Sequence, residues 1–340
     1  DGIGCIHYGQ IYTHYGVSTR STNVFVSPEV AGRSRTADPG DVVVAVTGEN
    51  DEDLGKSVAW LGDAPVAVSN HTIIFTSSLD PKYVSYFLHS TSFHRQKQRH
   101  ITGTKVRSLP ERGLGATLIP VPPLEVQCEI VSILDRFTEL EAELEAELEA
   151  RQAQFTHYRN RLLSPSTKTE WSTLGEVAVR VSTGATPRAR NPRYYSNGTI
   201  PWLRTNEVRF NDIWETEMLI TQAAVDETAV NWIPANCVII AISGATAARS
   251  AINRIPLTTN QHCCNLEIDS SKAYFRYVFH WVSANYEELK ALGRGARSDL
   301  NVGIIKSFRI PLPDLTTQQR IADQLDAFQL LVGDLDVGIP

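Results

Sequence analysis

Apolar residues between positions 124 and 163 recur in steps of three and four, at Ile130, Leu134, Phe137, Leu140, Leu144, Leu148, Phe155, Tyr158 and Leu162, and no glycine or proline interrupts them. That period predicts one amphipathic helix. At 1.5 Å per residue it would run about 60 Å, more than one domain needs, and the step from Leu144 to Leu148 shifts its stripe as a stutter does in a coiled coil. A second stripe, Ile321, Leu325, Phe328, Val332 and Leu335, follows Thr316 and Thr317, either of which can cap a helix. Matching stripes predict antiparallel packing of the two helices; the alternative lays each helix on its own domain. Upstream of each helix the pattern becomes strand-like. Asp41-Val42-Val43-Val44-Ala45-Val46-Thr47-Gly48 corresponds to Cys237-Val238-Ile239-Ile240-Ala241-Ile242-Ser243-Gly244, each an apolar run closed by a hydroxyl residue and glycine.

The correspondence extends along the chain. Pro120-Val121-Pro122-Pro123-Leu124, with Gln127, Ile130, Leu134-Asp135 and Phe137, returns about 191 residues later as Pro311-Leu312-Pro313-Asp314-Leu315, with Gln318, Ile321, Leu325-Asp326 and Phe328. The same register sets Tyr83, Tyr86 and His89 against Tyr274, Tyr277 and His280. A period this long indicates a duplicated domain together with the element that follows it. Prolines before each helix and Ser164-Pro165-Ser166 after the first supply the stops. The expected organisation is a first domain over 1–123, a first helix over 124–164, a second domain over 165–315 and a second helix over 316–336. Two heads on one chain suggest a ligand with two sites.

With 340 residues, 42% of them apolar, the chain can bury two ordinary cores. No stretch approaches the roughly 18 uncharged apolar residues of a membrane span, and a cytoplasmic protein is expected. The five cysteines, Cys5, Cys128, Cys237, Cys263 and Cys264, are odd in number and irregularly spaced, which suits reduced, buried thiols; no metal site is expected, because no second ligand pair stands at a zinc-like spacing. The net charge of −6 is local: Glu139, Glu141, Glu143, Glu145, Glu147 and Glu149 lie in one run, and the rest of the chain is neutral. Elsewhere cations bunch, at Arg188, Arg190, Arg193, Arg204 and Arg209, at Lys290, Arg294, Arg297, Lys306 and Arg309, and at Lys97, Arg99, Lys105, Arg107 and Arg112. Such groups are either solvated faces or a footprint for nucleic acid.

Catalytic patterns are missing from the sequence. The Thr47-Gly48 and Ser243-Gly244 turns could offer amides to a phosphate, but no Gly-Lys-Ser/Thr follows, so nucleotide hydrolysis is not expected. Asn191-Pro192-Arg193-Tyr194 approaches the Asn-Pro-Pro-Tyr signature of adenine methyltransferases, yet its third position differs and no glycine-rich cofactor loop precedes it. The histidines are scattered and no Gly-Xaa-Ser-Xaa-Gly elbow is present. Asn70 and Asn260-Gln261 precede probable strands; a side-chain amide can pair with adenine through two hydrogen bonds, or simply serve a tight turn.

Gly184-Ala185-Thr186-Pro187, Tyr194-Tyr195 and Gly198-Thr199-Ile200-Pro201-Trp202-Leu203-Arg204 together resemble the opening of a target-recognition domain in the specificity subunit of type I restriction-modification systems. Gly4-Cys5-Ile6-His7-Tyr8-Gly9-Gln10-Ile11-Tyr12 resembles the same position in that family's other domain, and the Pro-Leu-Pro, Gln and Leu-Asp patterns match the starts of its two spacer helices. The resemblance covers essentially the whole chain. It implies an α+β architecture: two globular mixed α/β target-recognition domains, pseudo-two-fold related, joined by long antiparallel coiled-coil helices.

The implied function is non-catalytic reading of a split double-stranded DNA target, with the helices as a ruler. Two methyltransferase subunits would dock on the helices, carrying the S-adenosylmethionine that this chain does not bind, and a motor-nuclease subunit could join them. The other function considered is a coiled-coil scaffold whose two heads bind protein partners. DNA-contact candidates lie in loops that recur between heads: His7, Tyr8, Tyr12, His14, Lys56, Asn70, Lys105 and Arg107 in the first, and Arg188, Arg190, Arg193, Tyr195, Arg204, Thr205, Thr246, Arg249, Asn260, Arg294 and Arg297 in the second. Partner-binding candidates are Ile130, Leu134, Phe137, Leu144, Leu148, Phe155, Tyr158, Ile321, Leu325 and Phe328. Nothing in the first half matches Trp171 to Asn197, so an opening strand is expected to be missing there, and the second helix is expected to be about half the length of the first.

Overall fold

A computed structural model of the chain describes residues 2–293 and 299–336. The chain divides into two compact units, Asp1–Glu143 and Leu144–Pro340. Unit 1 runs β1 (Ile3–Ile6), α1 (Tyr8–Thr13), β2 (Ser18–Thr19), β3 (Val24–Val26), α2 (Pro28–Arg33), β4 (Arg35–Ala37), β5 (Val42–Ala45), β6 (Thr47–Gly48), β7 (Ser57–Trp60), β8 (Val66–Val68), β9 (Thr72–Phe75), α3 (Pro81–His89), α4 (Thr91–Lys97), β10 (Arg107–Ser108) and α5 (Glu111–Gly115). Its two four-stranded sheets have the orders β3-β1-β8-β4 and β2-β7-β5-β9. Successive β5 side chains point to opposite faces. Val43 and Ala45 join Ile6, Ile11 and Val68 in one cluster, while Val42 and Val44 meet Val84, Leu88 and Phe93 of α3 and α4 in another. Burial on both faces explains why this strand reads as a continuous apolar run.

Helix α6 (Leu124–Leu163) is unbroken over 40 residues. Unit 2 then adds β11 (Glu170–Thr173), β12 (Ala178–Thr183), α7 (Pro192–Tyr195), β13 (Ile200–Leu203), β14 (Asn211–Ile213), β15 (Leu219–Ile220), α8 (Gln222–Glu227), β16 (Trp232–Ile233), β17 (Val238–Ala241), β18 (Ser250–Asn253), β19 (Leu257–Thr259), β20 (Cys263–Ile268), α9 (Phe275–Ala284), α10 (Tyr286–Ala291), α11 (Val302–Ser307), β21 (Arg309–Leu312) and α12 (Leu315–Asp336). Its main sheets have the orders β15-β13-β19-β16 and β12-β20-β17-β18-β14.

These sheets repeat the connectivity of unit 1. In each unit the first strand of the core pairs in parallel with a later one: Cys5 with Ala67 and Ile6 with Val68 in β1 and β8, Trp202 with Thr258 and Leu203 with Thr259 in β13 and β19. β5 sits between β7 and β9, and β17 between β18 and β20. Unit 2 has three further strands: β12 on the outer edge of β20, and the pair β11 and β21. Among the described residues unit 1 has no counterpart of these, and Leu118 and Val121, which align with Arg309 and Leu312, are exposed.

Hydrogen bonds correct the register of the duplication at one point. Tyr83 donates its hydroxyl to the Pro120 carbonyl, and the residue that donates to Pro311 is Tyr277, not Tyr274. Helices α3 and α9 therefore correspond at an offset of 194, three residues from the 191 that holds for the prolines and the helices after them. Tyr86 matches His280, and His89 matches Ser283; each of the latter pair bonds the serine opening the neighbouring strand, Ser57 or Ser250.

Candidate nucleic-acid interface

The carboxyl ends of the parallel pairs are where open sheets present ligand-binding loops, and here they carry matched loops. The Ser69 amide donates to the Ile6 carbonyl, and the Asn260 amide donates to that of Leu203. One residue further, Asn70 and Gln261 stand exposed; next, the carbonyls of His71 and His262 accept from Val46 and Ile242. The counterpart of Asn70 is thus Gln261. Asn260, expected as a base reader, is only 8% exposed, and its side-chain oxygen accepts the His262 amide. It is the turn-forming asparagine.

In unit 1, His7 and Tyr8 follow β1, with rings 4.7 Å apart, and Tyr8 stands edge-on to His71. His7 caps α1 by accepting from the Gly9 amide, and His14 ends that helix exposed. Tyr12 turns inward instead: its hydroxyl donates to the Thr47 carbonyl, and burial, with Asp53 nearby, raises its pKa. Lys56 pairs with Asp53 and Arg107 with Asp51 at 2.7 and 2.9 Å. Lys105 is exposed, with no carboxylate partner among the described residues. Lys97, grouped with these cations in the sequence, is 1% exposed and donates to the carbonyls of Glu52 and Leu54. Burial lowers its pKa to about 8. It holds the 49–56 loop from beneath and contributes no surface charge.

In unit 2 the loop from Gly184 lies so close to β19 that a Cβ at Gly184 would sit 1.8 Å from the Thr259 carbonyl oxygen. This contact brings Thr186 to the side-chain carbonyl of Gln261, to which its hydroxyl donates. A cavity of about 530 Å³ beside the loop gathers Arg190, Tyr195 and Arg204 with Thr186, Trp202 and Met218. Tyr195 and Trp202 are part of its wall: Trp202 is buried, and both donate to loop carbonyls, those of Pro187 and Ala185. Arg204 pairs with Glu217, and Arg193 with Glu227. Those two cations are compensated locally, while Arg188, Arg190 and Arg249 have no carboxylate partner among the described residues. Thr205 opens the turn after β13, and Thr246 lies in the turn after β17, where the Gly244 amide faces the Asp299 carboxylate rather than open space. Arg294 and Arg297 lie outside the described residues.

Each long helix is tied to its own unit by one joint. The Gln127 side chain accepts from the Asp80 amide at 2.9 Å and donates to the Pro122 carbonyl; Gln318 accepts from the Tyr274 amide at 2.8 Å and donates to the Pro313 carbonyl. Asp135 accepts from Lys82 and Tyr86, whereas Asp326 accepts from Arg276 and His280. Arg276 also reaches Asp212 on β14 at 2.8 Å.

The helix faces require a correction. Ile321 and Leu325, expected to face a partner, are buried in the core of unit 2 with Leu163, Tyr277 and Val278, because α12 lies on α9. Phe155 packs on the same cluster, and Tyr158 stacks on Phe328 with ring centroids 5.0 Å apart. The end of α6 thus meets α12, while α12 also rests on its own domain. Within unit 1, Ile130 and Leu134 are half-buried and Phe137 is 65% exposed; Leu144 is exposed and Leu148 half-buried. The cap of α12 is Asp314, which accepts from the Thr317 amide, rather than either threonine.

Four cysteines are buried and Cys128 is exposed, all of them free. Burial pushes the Cys237 and Cys264 thiols up to about 12, where thiolate chemistry is suppressed. No helix among the described residues is long and apolar enough to cross a membrane.

Residues 40–150 and 167–334 match the family model described as type I restriction modification DNA specificity domain. The chain is 31% identical over 275 residues to the EcoR124I/EcoR124II specificity subunit of Escherichia coli, covering 76% of this chain and 66% of that one. It is 34% identical over 185 residues to the EcoprrI specificity subunit of the same species, covering 51% and 45%. Its fold is similar to a chain solved in work on complex assembly and conformational transition of the type I R-M system, with TM-score 0.64, 17% identity and coverage of 100% and 86%. The S subunit of M. genitalium has TM-score 0.54 at 15% identity, covering 98% and 86%. The family model takes in β5 to α5 with much of α6 in the first repeat and β11 through most of α12 in the second, well over half of the chain, so this chain belongs to the type I restriction-modification DNA specificity family.

Proposed function

We propose that this chain reads a split double-stranded DNA target, one block with each unit, and docks two adenine methyltransferase subunits through its helices. The observation that carries this reading is the duplication: the same parallel strand pair ends in the same exposed loop in both units, and one unbroken helix joins them. Two matched surfaces on one chain suit a target with two half-sites. Lys105, Arg188, Arg190 and Arg249, which have no carboxylate partner among the described residues, would hold phosphates, while the loop amides would read base edges. Target-recognition domains over 1–123 and 165–315, with spacer helices over 124–164 and 316–336, are part of this proposal. In it the chain performs no catalysis; S-adenosylmethionine belongs to the methyltransferase, a restriction motor-nuclease can join the complex, and the assembly is cytoplasmic. The support is family membership together with the relatives' names as specificity subunits of restriction enzymes. The test is co-expression with the neighbouring methyltransferase subunit and mapping of methylated adenines on a random-sequence library. A split motif with a constant gap is expected. Methylation without such a motif, or heads that bind protein and show no salt-sensitive DNA association, would overturn the reading.

A further inference from the structure

Two loops in different units place the same pair of side-chain types at the same point of the same fold. Asn70-His71 and Gln261-His262 follow the second strand of each parallel pair, one residue beyond the amide that bonds back to Ile6 or Leu203. All four are exposed. The backbone in unit 1 is strained to present them, since His71 has φ 69° without being glycine.

The loop in unit 2 also holds its amide in place. Gln261 accepts from Thr186 through its side-chain oxygen, and its side-chain nitrogen donates to Nε2 of His262 at 3.1 Å. A primary amide has two acceptor positions and two donor hydrogens, so one acceptor and one donor of the exposed Gln261 side chain remain. That residue of valence matches what adenine offers in the major groove, the N6 amino donor beside the N7 acceptor. In unit 1 the ring Nδ1 of His71 lies 3.3 Å from the Thr47 hydroxyl, and the ring packs edge-on against Tyr8. The Asn70 amide beside it makes no side-chain hydrogen bond among the described residues.

We propose that Asn70 and Gln261 are the base-reading residues of their respective units, each recognising one adenine in its block of the target, with His262 as the neighbouring group that orients Gln261. This rests on the DNA-reading function proposed above and narrows it to two positions. Substitutions there should alter one letter in one block and leave the other block intact.

The test uses the full chain assembled with its methyltransferase subunit, with methylated sites mapped on a random library for wild type, Asn70→Ala, Gln261→Ala and Gln261→Glu. Gln261→Ala is expected to lower discrimination at one adenine of one block by about ten-fold, and Asn70→Ala to do the same in the other block. Gln261→Glu keeps the side-chain length but replaces a donor by an acceptor, so preference at that position should move toward cytosine, whose N4 group donates. A merely structural role would lower methylation at all sites together and would produce no such change of letter. Unchanged motifs in the three variants, beside a split wild-type motif, would overturn the assignment while sparing the functional proposal. A wild-type complex without a split motif would overturn both.

Discussion

Near the start of α6 a lysine and a tyrosine share one aspartate, and near the start of α12 an arginine and a histidine do. The glutamine wiring around them is shared by both units, and Gln318 adds a longer contact, 3.4 Å, to the Lys272 carbonyl. What differs is charge and reach. Lys82 ends at Asp135, with side chains 24% and 30% exposed, whereas Arg276 is 12% exposed and continues to Asp212 at the far edge of its sheet. The comparison teaches that the joint needs its backbone donors satisfied, while the ion pair is a variable addition. Solvent screens the lysine pair, whereas the arginine must keep both carboxylates or remain buried without a partner.

Breaking the larger pair should therefore cost most. Arg276→Met is expected to lower the stability of unit 2 by about 3 kcal/mol, because it removes the cation that Asp326 and Asp212 share in a partly desolvated site and leaves them only His280 and Arg254. Guanidinium unfolding combined with hydrogen exchange in α12 would show it; a loss under 1 kcal/mol would mean that solvent reaches the joint freely. Gln127→Ala and Gln318→Ala should each cost about 2 kcal/mol, since each orphans a backbone N–H at the start of a helix. Near-equal losses would establish the glutamine as the common element, and a large difference would break the parallel. Lys82→Met should cost at most about 1 kcal/mol.

The smallest effects are slopes with pH, and they have the same sign in the two units but fall in different pH windows. Burial, which would raise the Asp326 pKa, is outweighed by hydrogen bonds from His280 and Arg276, so the folded value lies below the ordinary one. As the pH falls below the ordinary carboxylate value near 4, the unfolded state takes up this proton first, and unit 2 loses stability. Lys97 gives a slope of the same sign in unit 1, at higher pH. Its folded value of about 8 lies below the unfolded one of 10.5, so between them the unfolded state holds the extra proton and stability rises with pH. Melting curves of wild type, Asp326→Asn and Lys97→Met across pH would separate the two: each variant should flatten its own slope only.

Much of this architecture was legible in period and repetition. The steps of three and four marked α6 to its ends, and the apolar runs at Val42 and Val238 marked strands buried on both faces. The register of α3 against α9 was not legible. Tyr83 and Tyr86 are spaced like Tyr274 and Tyr277, and three residues are nearly a helical turn, so the wrong offset still matches a tyrosine to a tyrosine. Only the partners of the hydroxyls separate the two. Periodicity likewise shows that Ile321 and Leu325 share a face but not what covers it, and α9 does so. At the candidate interface, loop position was readable and local compensation was not: the carboxylates of Glu227 and Glu217 lie 34 and 13 residues from the arginines they neutralise. Gln261 was passed over for Asn260 because adjacent amides look alike until one is seen holding the turn, although the 191-residue offset already aligned it with Asn70.

The glutamate run within α6 has one more effect. Glu139 to Glu149 are exposed save for Leu148, and one cation, Arg151, pairs with Glu147 at its end. Six carboxylates along about 15 Å of helix form an anionic fence. A duplex pressed against it meets like charge, and thinning the salt strengthens the repulsion just as it strengthens attraction to the loops. Low salt, which would favour DNA capture by cationic loops, would thus disfavour contact with this stretch of α6.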